Sequence, residues 1–174
     1  MRKFVLFIFL LIGTVAAAQE SDLLLRIREA NLKNTLRADF TQTRHTPLLA
    51  EDLVSSGFVA LQAPDKVRWE VQKPVSRVTV FNDDLPQQNN RRFRLPTEND
   101  FTVTALEGEE LSVILKPRRR DLAQLFSQIV LRVDPQSLAV HSVLLNGTEG
   151  DWTEIHFTRV QSDIELPQQL FDRP

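Results

Sequence analysis

The chain predicts a mainly β fold: a strongly curved antiparallel sheet with one N-terminal α-helix packed on its concave face. Three observations carry this. Apolar and polar residues alternate with period two through most of the 174 residues, as half-buried strands require. The breaks between these runs hold Gly, Pro, Asn and Asp at hairpin spacing. One segment near the N-terminus has a helical period instead. A closed barrel is the alternative topology.

Residues 1–18 stand outside that fold. Arg2 and Lys3 precede an unbroken apolar run, Phe4 to Ile12, and Ala16-Ala17-Ala18 offers a small-residue cleavage site. This is the pattern of a secretory signal peptide, shorter than a stable membrane span. Cleavage is expected after about Ala18, leaving 19–174 as a single domain. That portion has 19 Lys+Arg against 23 Asp+Glu, a net charge of −4. The weak negative charge argues against a nucleic-acid binder, whose affinity rests on basic surface. The chain has no cysteine, which excludes disulfides, thiolate metal sites, Cys nucleophiles and Cys-linked lipid anchors. A short signal and a cysteine-free chain fit the bacterial periplasm.

Ser21 can cap a helix over about 21–33, with Leu24, Ile27 and Ala30 or Asn31 on one face. The period then changes to two. Strands are expected at 35–44, 53–62, 66–72, 76–82, 101–106, 110–116, 128–134, 138–145 and 152–160. Leu36, Ala38 and Phe40 share a face, as do Val67, Trp69 and Val71. So do Leu111, Val113 and Leu115, then Ile129, Leu131 and Val133, then Ile155 and Phe157. Residues 117–128 suit one or two helical turns with Leu122, Leu125 and Phe126 inward. Residues 83–99 read as a long polar loop, and 167–174 as a short turn and tail. Sequential strands at hairpin spacing predict a meander.

The recurring catalytic patterns are absent from the sequence. There is no nucleophile elbow, phosphate-binding glycine loop, zinc-protease motif or calcium loop. His45, His141 and His156 are far apart, and a pair of His141 and His156 across the last hairpin would lack a third metal ligand. Asp83-Asp84 and Glu109-Glu110 sit in expected turns rather than converging from separate elements. Asn146-Gly147 reads as a turn demanding positive φ. No enzyme activity, cofactor or metal is therefore expected. Two basic clusters remain, Arg91, Arg92 and Arg94, and Arg118, Arg119 and Arg120. The second is a candidate contact for a partner or for anionic lipid headgroups.

Four stretches resemble the periplasmic outer-membrane lipoprotein carrier family, the LolA-like proteins. They are LRADFTQTR at 36–44, SSGFVALQAPDKVRWEVQKP at 55–74, LSVILKPRRRDLAQLFSQIVLRVD at 111–134 and GDWTEIHFTRVQSDIELPQQLF at 150–171. They occur in the family's order and cover about half of the chain after the signal. The resemblance implies a half-barrel whose apolar concave surface receives lipoprotein acyl chains. It also implies an inner-membrane ATP-driven exporter that loads the carrier and an outer-membrane receptor that unloads it. Two positions depart from the pattern. Ala63 stands where better-known carriers have a basic residue, and the role is not transferred to Lys66 or Arg68. The middle of the chain is also shorter than in the family, with only 83–99 to serve beside the helix as a lid.

The physical need is plain. Each CH₂ returned to water costs about 0.8 kcal/mol, so a sixteen-carbon chain represents on the order of 12 kcal/mol. An aqueous gap demands an apolar container, and release demands one that is loosely closed. The candidate lipid-binding residues are Phe40, Phe58, Val67, Trp69, Val71, Val113, Leu115, Leu131, Ile155 and Phe157. The expectation is a monomeric periplasmic carrier of lipoprotein or other lipid acyl chains. The alternative is an adaptor with a filled core that binds a protein partner through its surface.

Overall fold

A computed structural model describes residues 21–31, 33–64, 66–81, 100–106 and 110–172. Helix α1 (Ser21–Asn31) opens the described chain. Strands β1 (Thr35–His45), β2 (Leu53–Gln62), β3 (Lys66–Lys73) and β4 (Arg77–Phe81) follow. After residue 99 come β5 (Phe101–Leu106), β6 (Leu111–Pro117), the single turn α2 (Arg120–Ala123), β7 (Gln128–Val133), β8 (Val140–Asn146) and β9 (Trp152–Ser162). A 3₁₀ turn at Gln168–Phe171 closes it. All nine strands fall where the period-two runs placed them, and α1 ends two residues earlier than expected.

The strands form one antiparallel sheet in the order β4-β3-β2-β1-β9-β8-β7-β6-β5. This corrects the simple meander. Two meanders, β1–β4 and β5–β9, join where the two longest strands, β1 and β9, pair along their length. Among the described residues the sheet is not closed, and β4 and β5 are its edges. Pairing of the first strand with the last is a long-range contact that no local spacing announces.

Rows of apolar side chains run across the ladder on one face. Ile155, Val143, Leu131, Val113 and Ala105 are successive cross-strand partners over β9, β8, β7, β6 and β5. Leu145, Ile129, Leu115 and Val103 make the next row. In the other arm, Ala38, Val59 and Trp69 form one row and Leu36, Leu61, Val67 and Phe81 another. All of these except Ala105 belong to one continuous core cluster that also includes Ile27 of α1. The sheet is therefore strongly curved, with its two arms and α1 sharing one interior.

The opposite, outer face is mostly charged. Arg68 meets Glu70 at 2.6 Å, Arg159 holds Asp39, and Arg132 pairs with Glu154. One apolar patch interrupts it. Phe58 and Ala60 of β2 are covered there by Phe171 of the C-terminal turn, and Arg68 donates to the Leu170 carbonyl at 2.9 Å. Hence four successive residues of β2, from Gly57 to Ala60, are buried: the core covers one face and the tail the other.

Gly57 is required where it stands. A Cβ there would lie 1.8 Å from the Glu70 carbonyl oxygen, next to the register shift at Ser56/Gly57. The bulge brings β3 backbone where a side chain would be. Gly147 differs from the expected positive-φ turn residue. The loop between Asn146 and Trp152 is five residues long, its positive φ (84°) is at Gly150, and Gly147 is instead crowded by the Asp151 carboxylate.

Candidate functional site

The interior is built outward from Trp69. Its ring stacks on Phe40 with centroids 4.0 Å apart and planes 22° apart. These two residues sit on β3 and β1, with β2 between them. Small residues flank Phe40. Gly57 is Phe40's partner on β2, and Ala38 lies two residues away on β1. Trp69 is 3% exposed and Phe40 2%. An aromatic pair of this kind contributes about 0.5–1.5 kcal/mol beyond its area burial.

Of the sequence candidates, Phe40, Val67, Trp69, Val113, Leu115, Leu131 and Ile155 lie buried in this interior, and Val71 and Phe157 are half-buried against it. Phe58 is the exception: it points to the outer face, beneath the Arg37 guanidinium at 4.4 Å and against Phe171. The cause is hairpin register. Trp69 pairs with Val59, so Val59 and Leu61 face inward and Phe58 and Ala60 outward. Counting outward from the Ala63-Pro64-Asp65 turn would have selected Val59. Phe101, Leu122, Phe126 and Leu145 also join the interior. In α2's connection the expected inward Leu125 is exposed, while Leu122 and Phe126 are buried.

Helix α1 lies over this interior. Ile27 is buried in the core cluster and Leu23 packs against it. Asn31 fixes the helix's C-terminal end. Its Nδ2 donates to the carbonyls of Ile27 and Leu138, both at 2.7 Å, and its Oδ1 accepts from the Val140 N–H at 3.0 Å. The receiving β7–β8 turn is itself ordered by Asp134. That carboxylate accepts from the Gln136 and Ser137 N–H groups and from the Ser137 hydroxyl. The Ser137 backbone and hydroxyl bonds hold the Asp134 pKa below its ordinary value. The side chain of Leu24 lies outside the described residues.

The basic run after β6 is divided. Arg119 is committed to this chain: it meets Asp121 at 2.7 Å and Asp100 at 3.4 Å. The side-chain bond between Arg119 and Asp121 raises the first pKa and lowers the second. Arg118 and Arg120 are exposed, with Arg118 donating to Thr102 Oγ1 at 3.0 Å. The other basic cluster, Arg91, Arg92 and Arg94, the loop 83–99 and Asp83-Asp84 lie outside the described residues, as do the signal segment and its cleavage site. His156 is opposite Ser142, not His141, and its Nε2 lies 3.4 Å from Glu154. Among the described residues no group of three or more His, Asp or Glu is placed to hold a metal ion.

A family model described as outer membrane lipoprotein carrier protein LolA matches residues 31–94. That span contains the first two of the four stretches quoted from the sequence. An outer-membrane lipoprotein carrier protein of Methylococcus capsulatus (strain Bath) is 26% identical over 159 residues, covering 79% of this chain and 76% of the relative. Over these residues the chain is similar to outer-membrane lipoprotein carrier proteins. Solved structures of MucB share this chain's fold. The Pseudomonas aeruginosa MucA/MucB complex matches with a TM-score of 0.55 at 14% identity, over 90% of this chain and 62% of that one. MucB alone gives 0.55 at 14%, over 91% and 64%. The chain thus spans about three-fifths of the MucB chains it matches. At that identity the likeness is one of fold alone.

Proposed function

We propose that this protein is a periplasmic carrier that shields acyl chains of lipoproteins or other lipids during transfer towards the outer membrane. The supporting observation is the continuous apolar interior, which runs from β3 through β9 to β5 with α1 packed on it through Ile27 and Leu23. The interior surfaces are occupied by the chain's own atoms, as their burial records. On this reading cargo enters by displacing part of the chain's own cover, of which α1, through Leu23 and Ile27, is the described part.

The magnitudes favour such an exchange. Burial of Ile27 contributes about 1.5–3 kcal/mol. The two bonds from Asn31 to the β7–β8 turn contribute about 0.5–1.5 kcal/mol each. A sixteen-carbon chain leaving water gains on the order of 12 kcal/mol. The cargo outweighs the closure, and release goes to a competing apolar site rather than to water.

The natural partners on this reading are an inner-membrane exporter and an outer-membrane receptor, with the carrier itself a monomer. The test is lipid mass spectrometry on protein purified natively from the periplasm. Acyl-bearing species are expected in near-stoichiometric amount. Their absence, with no uptake of added fatty acid, would reject the carrier reading.

Two observations favour the second reading, a protein-binding adaptor. Buried interior residues and a fold shared with MucB, whose structure is known in complex with MucA, both suit a filled core with a binding surface. Co-purification of a protein with lipid-free chain would select it.

A further inference from the structure

Nine large apolar side chains are exposed among the described residues, and six share one rim of the sheet: Leu48, Leu49, Leu53, Val54, Val75 and Leu125. Register places them together. His45 and Asn146 both partner Trp152, Gln128 partners Asn146, Arg44 partners Leu53 and Ser56 partners Lys73. The β1–β2 tip, the β3–β4 turn, the β8–β9 loop and the connection carrying α2 therefore open to the same side. Helix α1 is pinned by Asn31 at the other rim.

Leu48 is 92% exposed and Val75 74%, yet the tip that carries Leu48 is an ordered projection. The His45 ring stacks on Trp152 at 5.5 Å and its Nδ1 lies 2.8 Å from Asp52 Oδ1. The Leu49 N–H donates to the Thr46 carbonyl at 3.0 Å. Exposed leucines on a fixed tip are a standing cost in water that packing does not require. Charges of both signs stand beside them. Lys73, Arg77, Lys116, Arg118 and Arg120 are all exposed at this rim, and so are the acids Glu51, Asp52, Asp121 and Glu149. Asp52 is engaged by His45 and Asp121 by Arg119, which leaves the exposed cations in excess.

We propose that this rim docks on a phospholipid bilayer surface. The Leu48-Leu49 tip enters the headgroup–acyl boundary, and Arg118, Arg120, Lys73 and Arg77 meet lipid phosphates. Apolar side chains spread over separate loops with cations beside them match an interface that is apolar below and anionic above. This goes beyond the carrier reading and does not depend on an acyl chain entering the interior.

The test is cosedimentation of the mature protein with phosphatidylethanolamine–phosphatidylglycerol vesicles. The wild type is expected to sediment with them, less so at high salt. A Leu48→Asp, Leu49→Asp double variant should bind at least tenfold more weakly, and Arg118→Glu, Arg120→Glu should lose the salt-sensitive part. The Leu48-Leu49 tip is exposed and lies outside the interior, so uptake of a fluorescent fatty acid by the tip variant should be unchanged. No vesicle binding, or equal binding by the tip variant, overturns the docking surface. Normal fatty-acid uptake in the same samples shows that the carrier reading survives that failure. Capture of a protein that competes with the tip, without vesicle binding, also overturns it.

Discussion

Replacing Asn31 with alanine loosens the helix that covers the interior. The side chain makes two bonds to the β7–β8 turn, one to the Leu138 carbonyl at 2.7 Å and one from the Val140 N–H at 3.0 Å. At about 0.5–1.5 kcal/mol each, their loss makes displacement of α1 easier by about 1–3 kcal/mol. If only the displaced form accepts an acyl chain, apparent affinity rises with the population of that form. A central value near 2 kcal/mol corresponds to roughly a thirtyfold tighter apparent Kd. The same loss lowers the melting temperature by about 4–8 °C for a domain of this size. Titration with a fluorescent fatty acid, beside thermal unfolding followed by circular dichroism, reads both. Leu25→Ala serves as control, because Leu25 is exposed on α1. The reasoning fails if Asn31→Ala lowers the melting temperature and weakens or leaves unchanged the fatty-acid affinity. That pair of results would make α1 part of a filled core rather than a cover.

The remaining expectations are simpler. Gly57→Ala forces a methyl onto the Glu70 carbonyl, and urea unfolding should show a loss of about 1–3 kcal/mol or more. Phe171→Ala empties the outer-face patch over Phe58 and Ala60; it should cost about 3–5 kcal/mol in the same assay while fatty-acid affinity holds, because the patch is on the other face of the sheet. Asp121 and Asp134 have folded pKa values below their ordinary ones. Their contribution is thus present above the unfolded carboxylate pKa and lost as pH falls through the folded values. An acid titration of stability should drop below about pH 4, and Asp134→Asn should remove part of that drop.

Strand placement was legible because each strand keeps one face apolar, and period two survives without knowledge of its neighbours. Val67-Trp69-Val71 and Leu111-Val113-Leu115 needed nothing more. The β1–β9 pairing was not legible, since it joins residues more than a hundred positions apart. Phe58 misled for a related reason. In β2 both faces are apolar, one for the core and one for the tail, so composition could not say which face was which. Only hairpin register from the Ala63-Pro64 turn distinguishes them. Asn31 was visible as a residue on the helix face, but its partners belong to a turn a hundred residues away. The exposed tip at Leu48 was hidden because a leucine in a loop looks like a buried one until its neighbours are known.

Whether an acyl chain reaches the interior is read most directly at Trp69. In a Trp152→Phe protein, Trp69 is the only tryptophan, and it lies stacked on Phe40 inside the sheet. Titration with a fatty acid brominated along its chain should quench its emission saturably, with a stoichiometry near one. Emission that stays constant while the protein remains folded would contradict acyl binding in this interior.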